Sequence, residues 1–212
     1  MTDQPPRMRD LPAPRDNPSV AGPAMRWLFT WPYRFALAGL YRARVRAWQL
    51  TVASLLANGV VGALLLTHRR LLPGLLLLPA GLLDIFDGGV ARLRGEESKR
   101  GALLDSTLDR AADGIVLGCL FASEAMLGRA PDAVLALTAM VISLLVSHLR
   151  AEGEAMGLEM TEGTFQRLER YLALILGLSI PGGQRPALAL LVILGVVTAY
   201  QRLSAGLRRL SA

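Results

Sequence analysis

The chain has 212 residues, 23 Lys or Arg against 17 Asp or Glu, and a formal net charge of +6. Its mean hydropathy of +0.40 and 52% apolar content exceed those of an ordinary soluble domain, so the size fits one small bundle of membrane helices. Such basic charge suits nucleic acid or a membrane surface, but the long apolar runs and the lack of aromatic–basic repeats for stacking bases exclude nucleic acid.

Residues 1–23 carry Pro5, Pro6, Pro12, Pro14, Pro18 and Pro23 among charges, which predicts a flexible cytoplasmic tail. The first 22 residues are polar rather than apolar, so no cleavable signal peptide is expected. Residues 24–46 mix Trp27, Phe29, Trp31, Tyr33, Phe35, Leu37 and Leu40 with Arg26, Arg34, Arg42 and Arg44. Aromatic rings and arginines of this kind prefer the lipid–water boundary, so the segment reads as a juxtamembrane amphipathic helix, with Pro32 a possible break.

Residues 47–212 hold six apolar stretches, at about 48–67, 72–92, 101–125, 132–152, 167–180 and 187–206. A crossing needs about 20 residues; the fifth stretch is short, and could extend back to about 164. The reading is an all-α integral membrane protein: six transmembrane helices preceded by an interfacial one. Arg69, Arg70, Arg129 and Arg185 are the four basic residues in turns on one side; the other 19 of the 23 lie elsewhere. Positive charge collects on the cytoplasmic side, which places both termini there, in the cell membrane. Gly59 with Gly62, Ala80 with Gly81, and Gly114 with Gly118 allow close helix packing, within one chain or between two. Cys119 is the only cysteine and reads as a small core residue, while His68 and His148 are too isolated for a zinc site.

The most informative stretch joins the second and third crossings. It reads Asp84-Ile-Phe-Asp87-Gly88-Gly89-Val-Ala91-Arg92, then eight residues, then Gly101-Ala-Leu-Leu-Asp105-Ser-Thr-Leu-Asp109. Spacings of three and four put each pair of acids on one helical face. Four acids at a membrane boundary are costly unless they bind something cationic. Oxygen ligands without His or Cys suit Mg²⁺, with Mn²⁺ an option. Two ions about 4 Å apart would clamp a pyrophosphate during an in-line displacement.

The pattern D-x2-D-G-x2-A-R-x8-G-x3-D-x3-D, matched at every fixed position, resembles the signature of the CDP-alcohol phosphatidyltransferases. The resemblance implies that Asp84, Asp87 and Asp105 bind metal and that Asp109 is general base, also a possible ligand. An aspartate, with an ordinary pKa of about 4, is a weak base unless its site tunes it. The resemblance also places the CDP group against Gly88, Ala91, Arg92, Ser98 and Gly101. Thr51 falls where relatives carry a threonine, although the Thr-Pro pair that precedes it in many of them is replaced here by Arg46-Ala47. The expected donor is CDP-diacylglycerol, the leaving group CMP, and the assembly a homodimer.

A second constellation is His148-Leu-Arg150-Ala-Glu152, then Gly163-Thr-Phe-Gln-Arg167-Leu-Glu169-Arg170, then Gln201-Arg202. Guanidinium forks match phosphate, so Arg150, Arg167, Arg170 and Arg202 form a candidate anion site, with His148 beside them. This portion resembles the phosphatidylinositol-phosphate synthases, which commonly carry lysine at the position of His148. The resemblance implies a phosphorylated polyol acceptor, inositol phosphate first. Glycerol 3-phosphate, as in phosphatidylglycerol-phosphate synthesis, is the alternative within the class. From another class, a cation transporter could use the four aspartates, but transporters bind ions near the midplane in broken helices.

Overall fold

The structure, a computed structural model, describes Leu11 and residues 22–211, so the expected tail lies outside the described residues apart from Leu11 and the start of the first helix. The described residues form α1 (Gly22–Arg42), α2 (Ala47–Leu66), α3 (Leu71–Arg94), α4 (Lys99–Met126), α5 (Ala130–Ala155), α6 (Arg167–Ser179) and α7 (Gln184–Leu210). No strand occurs among them. Each expected apolar stretch is one helix, because long runs of Leu, Val and Ala satisfy their backbone internally.

The helix ends follow from local chemistry. Gly95, in the left-handed region at φ 64°, stops α3 while the next N–H, from Glu96, closes on the Ala91 carbonyl at 2.9 Å. Ser98 then caps α4, its Oγ accepting from the Gly101 N–H at 3.0 Å. This short link turns the chain back so that both halves of the acidic stretch face the same end of the bundle.

Six helices close into a ring in the order α2, α4, α5, α7, α6, α3. Val61, Leu65, Leu77, Leu117, Leu120, Leu174, Leu188 and Leu191 fill its core. Close approaches need small residues: a Cβ built on Gly62 would meet Ile115 at 2.9 Å, and one on Gly81 would meet the Tyr171 ring at 2.6 Å. These two glycines therefore serve packing within the chain. Backbones of α3 and α4 do not touch, so groups from them meet across the interior of the ring.

Among the described residues four helices, α2, α3, α5 and α7, are long and apolar enough to cross a membrane. Their outer faces expose Leu56, Leu75, Val141 and Ile193, as a lipid-facing surface requires. Two of the six expected crossings do not qualify by that measure. Helix α4 carries Asp105, Asp109, Asp113 and Glu124 along its length. Helix α6 begins at Arg167 rather than near 164, and its 13 residues rise only about 20 Å. Gln166 caps it reciprocally with Glu169, which fixes that start.

Helix α1 runs through Pro32 without ending. Tyr33 stacks on Phe86 of α3 with centroids 5.3 Å apart, and Leu37 is fully buried beside Val90. Trp31 and Phe35 point away, 67% and 74% exposed. One face thus packs on α3 and the other presents aromatic rings.

At the far end of the ring, Glu124 is completely buried. It pairs with Arg70, accepts from Gln184 Nε2 at 3.0 Å, and lies 3.6 Å from Arg129. Arg185 forks onto Asp132 at 2.6 and 2.9 Å. Three of the four arginines expected in turns on this side are therefore spent on acids within the chain.

Candidate active site

The acids sit where α3 ends and α4 begins. Asp84, Asp105 and Asp109 each offer an oxygen within 4.8 Å of the others, although they come from helices whose backbones do not touch. Asp87, one turn after Asp84, is only 5% exposed; Thr51 from α2 lies beside its carboxylate, and its Oδ2 is buried without a hydrogen-bond partner. A cluster of hard oxygen donors with an unsatisfied buried carboxylate oxygen fits a divalent cation of the Mg²⁺ or Mn²⁺ kind.

Positive charge enters from α6. Arg167 Nη1 lies 2.7 Å from Asp84 Oδ2 and 2.6 Å from Asp109 Oδ2. Arg170, one turn further, is buried and lies 3.6 Å from Asp113. Asp113, which the sequence reading did not single out, continues the four-residue stripe of Gly101, Asp105 and Asp109.

The remaining expected nucleotide contacts flank the acids. Gly88 is open enough that a built Cβ would meet only Arg92 Nη1, at 3.5 Å. Arg92 donates to the Tyr33 hydroxyl at 3.4 Å, so α1 supplies one partner of this arginine. Ala91 accepts the N–H that ends α3, and the exposed Ser98–Gly101 turn opens α4. Backbone that lacks side chains here leaves room for a ligand to approach.

The five residues expected to hold the acceptor phosphate have different surroundings. Arg167 and Arg170 face the carboxylates. Arg202 is buried, donating to the Glu162 carbonyl at 3.0 Å and the Val146 carbonyl at 2.7 Å, within electrostatic reach of Arg150 and Arg170. With Thr198 and Gln201, which accept from the N–H groups of Phe165 and Thr164, it straps the 156–166 segment that delivers α6. Arg150 and His148 are exposed and paired one turn on, Arg150 with Glu154 at 2.7 Å and His148 with Glu152 at 3.9 Å.

Sequence reasoning missed Asn58 and Tyr171. The Tyr171 hydroxyl donates to Asn58 Oδ1 at 2.8 Å, and Asn58 Nδ2 donates to the Ser54 carbonyl at 2.9 Å. An amide in the middle of the largely apolar α2 was a signal, since a polar group in such a run needs a partner.

Residues 44–201 match the family model described as CDP-alcohol phosphatidyltransferase. The chain is 34% identical over 172 residues to the phosphatidylinositol phosphate synthase of Corynebacterium glutamicum, covering 77% of this chain and 78% of that one. It is 36% identical over 133 residues to the archaetidylinositol phosphate synthase of Methanothermobacter thermautotrophicus, covering 60% and 66% of the two chains. Among solved structures, the phosphatidylinositol phosphate synthase of Mycobacterium tuberculosis with CDP-DAG bound superposes with a TM-score of 0.73 at 26% identity, covering 81% of this chain and 91% of that one. The same enzyme is also known in complex with manganese and citrate, at the same TM-score. The chain belongs to the CDP-alcohol phosphatidyltransferase family and is a phospholipid-synthesising transferase of that class.

Proposed function

We propose that this family member transfers the phosphatidyl group of CDP-diacylglycerol to inositol phosphate and releases CMP. The observation that carries the reading is the meeting of the α3–α4 carboxylates with two arginines of α6. An arginine pair beside the carboxylates suits an acceptor that already bears a phosphate, and a neutral alcohol would leave it without a purpose. The relatives named for inositol phosphate lipids support the same acceptor.

Divalent cations, Mg²⁺ with Mn²⁺ as substitute and two in number, would supply charge neutralisation at the pyrophosphate when held by Asp84, Asp87, Asp105 and Asp109. Gly88, Ala91, Arg92, Ser98, Gly101 and Thr51 bind the CDP portion. Arg167 and Arg170 orient the acceptor by its phosphate; Arg150, His148 and Arg202 complete the anion site. Asp109 takes the proton of the acceptor hydroxyl as its oxygen forms the bond to the β-phosphorus. The bond from that phosphorus to the bridging oxygen breaks, and CMP leaves with the electron pair.

The chain lies in the cell membrane with the site and both termini in the cytoplasm. Helices α4 and α6 complete six crossings and α1 rests at the interface, its exposed Trp31 and Phe35 toward lipid. The protein acts as a homodimer. Mass spectrometry of the lipid formed from CDP-diacylglycerol and inositol phosphate tests the reading. A product that keeps the acceptor phosphate supports it, and failure to form that lipid while glycerol 3-phosphate is used would replace the acceptor.

A further inference from the structure

One atom of Arg167 serves two carboxylates. Its Nη1 contacts Oδ2 of both Asp84 and Asp109, at 2.7 and 2.6 Å. These acids come from helices whose backbones stand apart, yet each offers an oxygen within 4.8 Å of the other's. Two negative charges so close repel strongly, and a cation beside both oxygens offsets that repulsion. A Mg²⁺ ion bridging the same oxygens would sit about 2.1 Å from each. The Arg167 nitrogen contacts these same oxygens, so the guanidinium competes for them with an ion that bridges this pair.

We infer that Arg167 is an internal counter-ion: it neutralises Asp84 and Asp109 in the ion-free protein and gives them up to a divalent cation. The inference rests on the proposed role of these acids in holding that cation. It has a consequence for order. In the ion-free protein Arg167 is committed to carboxylates, and it becomes available to an acceptor phosphate only after ion binding. Arg170 does not share this constraint, because its partner is Asp113, outside the Asp84–Asp105–Asp109 group. Arg167 is also the more accessible of the two, its side chain being 30% exposed against 7% for Arg170.

The test is Mn²⁺ binding to the purified full chain in detergent, without donor or acceptor, read from the spin resonance of free Mn²⁺. Removing a competing internal cation should tighten binding, so R167Q is expected to bind Mn²⁺ about tenfold more strongly than the parent. Unchanged or weaker binding by R167Q would overturn the inference and make Arg167 a support beside a bound ion. D105N tests the ion site separately: loss of Mn²⁺ binding there, with R167Q unchanged, sinks the counter-ion role alone. No Mn²⁺ binding by the parent sinks both readings. A second measurement needs no variant. Inositol 1-phosphate should bind the parent about tenfold more weakly without Mn²⁺ than with it, by the reciprocity of linked sites, and equal binding would contradict the inference.

Discussion

The Tyr171 hydroxyl donates to Asn58 Oδ1 at 2.8 Å, joining α6 to α2 across the ring although their backbones do not meet. Tyr171 follows Arg167 by one helical turn, so this bond fixes the face of α6 that carries the arginines. Tyr171→Phe leaves a buried amide oxygen without its donor. The expected cost is about 1–3 kcal/mol of stability, read as a lower unfolding midpoint in detergent, with a rise in the acceptor KM larger than in the donor KM. An unchanged midpoint and unchanged KM values would remove this bond from the account.

Asp109→Asn keeps shape and removes basicity. It is expected to lower kcat by about a hundredfold or more, while binding of CDP-diacylglycerol, measured by calorimetry, changes little. Parental activity in this variant would end the assignment of Asp109 as base.

Arg170→Gln removes a buried fork from the proposed anion site and frees Asp113. The acceptor KM should rise by about tenfold or more, the worth of one charge-assisted contact, and the donor KM should stay within a few-fold. A selective rise in the donor KM would place Arg170 on the nucleotide instead.

Glu124→Gln probes the far end of the ring. The change leaves Arg70 without its buried partner, and Arg70 keeps some solvent contact. The expected loss is about 3 kcal/mol, the low end for a broken buried pair, seen in thermal unfolding with both KM values unchanged. A shift in either KM at parental stability would connect this network to the chemistry.

Much of this was legible in the sequence because its signals are local. Apolar runs set the helices within a few residues, and the Gly95 and Ser98 ends follow from common capping preferences. The spacing put each pair of acids on one helical face; of the four, Asp84, Asp105 and Asp109 meet within 4.8 Å, and Asp87 is not among that group. What was not legible depends on which helices become neighbours. Nothing near Arg167 in the chain announces Asp84, 83 residues away, and nothing near Tyr171 announces Asn58. Arg202 reads as a phosphate ligand by residue type; that two of its donors also bond the Glu162 and Val146 carbonyls depends on tertiary packing. The short α6 also falls below the length expected of a crossing, because a helix in a ring is supported by its neighbours.

The most direct measurement is CMP release by the purified chain with CDP-diacylglycerol and Mg²⁺, in parallel reactions with inositol phosphate, glycerol 3-phosphate, inositol and serine. The account predicts release with inositol phosphate, and none above background with the two unphosphorylated acceptors. Release with inositol or serine but with neither phosphorylated acceptor would contradict it, because the α6 arginines would then have no phosphate to hold.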